Sequence, residues 1–98
     1  MLTLTGKVLI CCHSDEWRRS LIVFLPLFGI NHPKGIDLDI AETIKEVSTK
    51  IEKTNYDFFI TDVKIGKRLR AVILKKKIKI IEVNEKMSVG KVFGRMLF

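Results

Sequence analysis

A chain of 98 residues, 47% hydrophobic and 30% charged, has the length for one core and not for two, and too many apolar residues to stay disordered. No apolar run approaches the roughly 18–20 residues of a membrane span, and MLTLTGKVLI is too short an apolar run for a secretory signal, so a cytoplasmic protein is expected. The net charge of +7 permits an acidic partner without requiring one.

Lys7 to Cys11 is apolar and β-branched enough to be a central strand. Cys11 and Cys12 are adjacent, and neighbours on an extended strand point to opposite faces, so they are expected as free thiols, which fits a reducing compartment. Ser14 then suits an N-cap, with Asp15 and Glu16 at the favourable end of a helix dipole. Helical spacing puts Trp17, Leu21, Phe24, Leu25 and Phe28 on the buried face, with Arg18 and Arg19 outward. Pro26 should end or kink this helix near Leu25, and Gly29 should stop it.

From Asn31 to Gly35 the residues are turn-formers, with His32 structural, and only Ile36 and Leu38 suggest a short edge strand. Asp39 and Glu42 have capping-box spacing ahead of a helix with Ile40, Ile44, Val47 and Ile51 on one face, running to about Lys53 and closed by Asn55. The stretch Tyr56 to Val63, YDFFITDV, reads as a strand covered on both faces, because Phe58, Phe59 and Ile60 do not alternate with polar residues. Asp57 is expected in solvent, and Asp62 at the carboxyl end. Gly66 opens a loop, Leu69, Val72 and Ile73 mark a third helix, Lys79 to Val83 is a fourth strand, and Ser88 caps a last helix with Val89, Val92, Phe93, Met96 and Leu97 on one face.

Four βα units in this order predict a three-layer α/β sandwich of flavodoxin-like or Rossmann-like type: a four-stranded, mostly parallel sheet, order 2-1-3-4, with helices on both faces. Chemistry in such sheets gathers at the carboxyl edge. The residues placed there are Cys12, His13, Ser14, Thr61, Asp62, Lys64, Asn84 and Glu85. Cys12, His13 and Asp62 have the donor types of a nucleophile with its base, or of a metal site. Against this, the ligands are few and the cysteines continue an apolar strand, so neither a metal nor a cofactor is expected. Between Lys64 and Lys79 stand eight basic residues and no acid: Lys64, Lys67, Arg68, Arg70, Lys75, Lys76, Lys77 and Lys79. This run is read as a solvated helix face for a protein partner. Nucleic acid is permitted but not favoured, since no aromatics interleave to stack bases. Trp17 is placed in the core. The absence of Gln beside abundant Lys, Ile and Glu leans toward a thermophilic source.

KVLICCHSDEWRRSL, IAETIKEVSTKIEKTN and above all YDFFITDV resemble the first half of a response-regulator receiver domain, over about residues 7 to 65. In that family the third strand ends on the phosphate-accepting aspartate, which maps to Asp62. The acidic pair that holds magnesium falls on Cys12 and His13, or on His13 and Ser14. The Ser or Thr after the fourth strand falls near Val83 or Asn84, and the lysine after the fifth strand has no counterpart. The resemblance therefore implies a degenerate receiver, not an enzyme, that signals by docking through the Lys64–Lys77 surface or the last helix, with an uncovered sheet flank that invites a homodimer or an interdomain contact. Length, four βα units, Cys12 and the Asn84–Met87 turn are also similar to a sugar phosphotransferase-system IIB domain, which implies a phosphocysteine at Cys12. In its place of a glycine- and serine-rich phosphate loop stand His13, Ser14, Asp15, Glu16 and Trp17. Arg18 echoes the Cys-x5-Arg phosphatase spacing. Thr61, Asp62, Gly66, Lys67 and Arg68 look like a topoisomerase-primase (toprim) strand, with Cys12 and Lys64 where that family has acids.

Overall fold

The computed structural model describes residues 6–29, 35–84 and 86–97. Its elements are β1 (Gly6–Cys11), α1 (Asp15–Phe24) continuing as a 3-10 turn (Leu25–Gly29), β2 (Ile36–Ile40), α2 (Ile44–Lys53), β3 (Phe58–Thr61), α3 (Lys67–Lys75), β4 (Lys79–Glu82) and α4 (Val89–Leu97). The strands form one all-parallel sheet in the order β2-β1-β3-β4. This is the three-layer α/β architecture that the alternation of strands and helices calls for. No helix among the described residues is long and apolar enough to cross a membrane.

The centre of the fold is β1, paired on both sides and sealed from Val8 to Cys11. Its pleat divides the interior. Val8, Ile10 and Cys12 pack with Leu21 and Leu25 beside α1 and with Val92 and Met96 of α4, whereas Leu9 and Cys11 pack with Val47 and Ile51 of α2 and Ile73 of α3. Each sealed aliphatic or aromatic side chain contributes about 1.5–3 kcal/mol. The two thiols are free and lie in different layers.

Helix α1 starts where the sequence indicates, with Ser14 Oγ accepting the Trp17 N–H at 3.3 Å. Its inner face is rotated from the expected one. Leu21 and Leu25, four residues apart, form the sealed stripe, while Trp17 is half-buried and Phe24 is 47% exposed. Phe24 lies about 100° round the helix from Leu25, at the margin of the apolar stripe, and the sheet covers only the line through Leu21 and Leu25. Arg18 is half-buried rather than outward and pairs with Asp15. Pro26 has no N–H to continue the ladder, and the chain tightens into the 3-10 turn there. The side chains of Phe28, Phe93 and Leu97, and the turn Asn31 to Lys34 with His32, lie outside the described residues.

Strand β2 is longer than expected and takes Asp39 from the expected capping box and Ile40 from the expected helix face. Ile40 pairs with Ile10, and the Ala41 N–H donates to Ile10 O at 2.8 Å, which holds the chain extended past Asp39. The helix is capped instead by Thr43, whose Oγ1 accepts the Glu46 N–H at 3.1 Å, and it is closed by Thr54 rather than Asn55. Asp39 serves the edge strand. The Tyr56 hydroxyl donates to its carboxylate at 2.5 Å and Lys50 lies 3.4 Å away. The tyrosine hydrogen bond comes first among the causes that hold Asp39 below the usual carboxylate range, and burial first among those that push Tyr56 up to about 12.

Strand β3 is shorter than YDFFITDV, because Thr61 Oγ1 accepts the Val63 N–H at 3.1 Å and turns the chain out of the sheet. Asp57 is exposed but not idle. Its Oδ2 accepts the Lys7 N–H at 2.8 Å, and it stands 2.8 Å from where a Cβ on Gly6 would sit, at a positive φ of 138°. On α3 the sealed residue is Ile73, Leu69 is half-buried, and Val72, expected inside, is 45% exposed. In α4, Ser88 Oγ accepts the Lys91 N–H at 3.3 Å, Val92 and Met96 are sealed and Val89 is half-buried.

Helix α3 ends in a Schellman motif. The Ile78 N–H donates to Ile73 O at 3.2 Å and the Lys77 N–H to Leu74 O at 3.0 Å, while Ile78 and Ile73 share one core cluster. The motif requires a left-handed residue at Lys77, where φ is 62°, a conformation that costs a non-glycine side chain roughly 1–2 kcal/mol. Lys77→Gly is therefore expected to stabilise the protein by about 1 kcal/mol, raising the thermal midpoint by about 4–8 °C. A melting curve that shifts downward would refute this account of the helix end.

Candidate functional site

Strands β1 and β3 are neighbours, so the chain leaving each arrives at one rim of the sheet. Thr61 fastens them. Its buried hydroxyl donates to Cys11 O at 2.8 Å. One residue on, Asp62 is half-buried and its carboxylate is already engaged: Oδ1 accepts the His13 N–H at 2.8 Å and Oδ2 the Ser14 N–H at 2.9 Å. The amides of the β1–α1 loop are where an incoming anion would bind, at the positive end of α1. Asp62 takes that place, and Asp15 and Glu16 in the first turn add negative charge beside it.

The other expected site residues are distributed around this contact. Cys12 is 3% exposed, and burial first, then the charge of Asp62, pushes its thiol up to about 12. Burial and the same carboxylate also raise Cys11. At neutral pH neither is a thiolate, the form that reacts. His13 is exposed and contributes its backbone, and Lys64 is exposed. Asn84 lies across the rim, where its side-chain oxygen accepts the Lys86 N–H at 2.9 Å. Glu85 lies outside the described residues.

A groove of about 1020 Å³ opens between the start of α1 and the β4–α4 loop, lined by Ser14, Trp17, Asp62 and Asn84 and also by Glu16, Ser20, Lys86, Met87, Ser88 and Val89. The sequence reading found Ser14, Asp62 and Asn84 of these. It missed the α4 wall, whose signal was the N-cap serine at the mouth of the last helix, and it placed Trp17 in the core although its ring packs there only in part. Among the described residues no three His, Cys, Asp or Glu side chains converge. The positions onto which the receiver resemblance maps magnesium acids, Cys12 and His13 or His13 and Ser14, carry a buried thiol, an exposed imidazole and the hydroxyl that caps α1, so neither pair supplies a carboxylate to a hard ion that takes oxygen ligands.

The basic run does not form one patch. Arg70 pairs with Glu82 and Lys76 donates to Ile51 O, which joins α3 to the end of α2. Lys67, Arg68, Lys75 and Lys77 are exposed, with Arg68 and Lys75 two turns apart on the outer face of α3. Compared with family models, curated proteins and solved structures, the chain matches none of them.

Two outcomes follow from the loop geometry. Asp62→Ala strands two amides and removes two charge-assisted hydrogen bonds, and is expected to lower stability by about 2 kcal/mol, with Asp62→Asn losing less; a urea midpoint unchanged by either would show that the contact carries no weight. Because both thiols are buried and raised, iodoacetamide at about pH 8.5 should leave both cysteines of the folded protein unlabelled and alkylate both in urea. Rapid labelling of Cys12 in the folded state would contradict its burial.

Proposed function

We propose that this chain is a receiver-like regulatory domain in which Asp62 braces the β1–α1 loop instead of accepting phosphate, and which acts in the cytoplasm through contacts with a protein partner. The observation that carries the reading is the pair of hydrogen bonds from the His13 and Ser14 amides to the two oxygens of Asp62. Phosphoryl transfer to a carboxylate depends on positioning and on neutralising charge around the phosphoryl group. A carboxylate facing loop amides, with a thiol and an imidazole in place of magnesium ligands, has neither. The exposed Arg68 and Lys75 on the outer face of α3 and the groove beside α4 are the surfaces left for docking.

The carrier reading draws no support from Cys12, whose buried thiol sits beside a carboxylate that repels phosphate. One incubation tests both. With acetyl phosphate and magnesium, the intact mass is expected to stay unchanged over hours. A phosphoryl adduct that Asp62→Asn abolishes would restore a working receiver, and one that Cys12→Ser abolishes would establish the carrier.

A further inference from the structure

We propose that the outer edge of β4 is a docking strip for an extended, acidic segment of a partner protein, which adds to the sheet as a further strand. The inference rests on the reading above only in taking the partner to be a protein; its residues are separate from the Asp62 rim.

The backbone of β4 shows why the edge is available. The Lys79 N–H donates to Asp57 O at 3.1 Å and the Val83 N–H to Thr61 O at 2.9 Å, so the odd-numbered residues face β3. Ile80 and Glu82 consequently turn their N–H and C=O groups the other way, where no strand follows among the described residues. Among the described residues only a long contact reaches this row, from Arg95 Nη1 to Glu82 O at 3.4 Å.

Beside the edge, between β4 and α4, lies a cleft of about 540 Å³ lined by the Ile80–Ile81 stretch of β4, with the Ile81 side chain sealed beneath it and that of Ile80 turned to the α2–α3 side. Gly94 of α4 keeps it open: a Cβ there would meet nothing within 4 Å. Lys79, Lys91 and Arg95 form the rim, and none of them is in an ion pair among the described residues. The acid of the strand, Glu82, is held by Arg70. Unpaired strand groups give affinity to any extended chain, and the three cations select an acidic one. A second copy is a poor occupant, since a two-fold edge pairing sets the same three cations against each other.

The probe is a fluorescently labelled octapeptide of alternating glutamate and valine, compared by anisotropy with its lysine–valine counterpart on the intact chain. The acidic peptide should bind at least about tenfold more tightly. Gly94→Phe, which fills the cleft from a position with free space, should weaken it at least about tenfold while leaving the thermal midpoint within a few degrees of its former value. Lys91→Glu should act in the same direction. Equal binding of the two peptides, or undiminished binding to Gly94→Phe, would overturn the proposal. So would displacement of the acidic peptide by oligothymidine, which makes the strip a nucleic-acid site, or a concentration-dependent dimer lost in Gly94→Phe, which makes a second copy the occupant. A phosphoryl group found on Asp62 removes the regulatory reading and leaves this strip standing; failure of the peptide removes the strip alone.

Discussion

The fold depends on the complete enclosure of β1. A strand hydrogen-bonded on both edges and covered on both faces has no polar alternative for its backbone, so β2 and β3 must lie beside it and helices must cover it above and below. The register that results, with Cys11 opposite Thr61, brings the carboxylate of the next residue to the amides of the next loop. Asp62 reaches His13 and Ser14 because β1 and β3 end level with each other.

That contact inverts the use to which the same place is put in proteins that hold phosphate on a helix N-terminus. There, backbone amides at the strand-to-helix turn wait for an anion from solution. Here the anion is a residue of the chain, fixed by a hydrogen-bonded threonine one position earlier. The loop is thus satisfied from within, and the concave and exposed surfaces lie to either side: the groove between α1 and α4, the outer face of α3 and the cleft beside β4.

Most of the architecture was legible because the strands are short apolar runs between turn residues and the helices carry clear stripes. The βα alternation read as a flavodoxin-like sheet gave the strand order, the strand period gave the opposite-facing cysteines, and residue type gave Ser14 and Ser88 as caps. Where such local signals misled, tertiary contacts decided the outcome. Asp39 has the side chain of a helix cap, but the pairing of Ile40 with Ile10 keeps it in a strand. Phe24 and Val72 fit helical stripes wider than the sheet can cover, and both face solvent. At the rim, spacing alone indicated that Asp62 would lie near His13 and Ser14. It gave no sign that the partners would be main-chain amides rather than side chains, since backbone donors are the same for every residue and leave no trace in composition. Asp57, dismissed as a surface acid, holds the start of β1 through the same kind of bond.

The sheet also acts as a partition. Among the described residues no side chain of the α2–α3 layer belongs to the cluster on the α1–α4 side, so the two half-cores are free to diverge at different rates. The α1–α4 side bears both the groove and the cleft beside β4. Sequence drift confined to that side would reshape the groove and the cleft while the opposite side preserves the fold, so one scaffold can carry different surfaces without first being rebuilt.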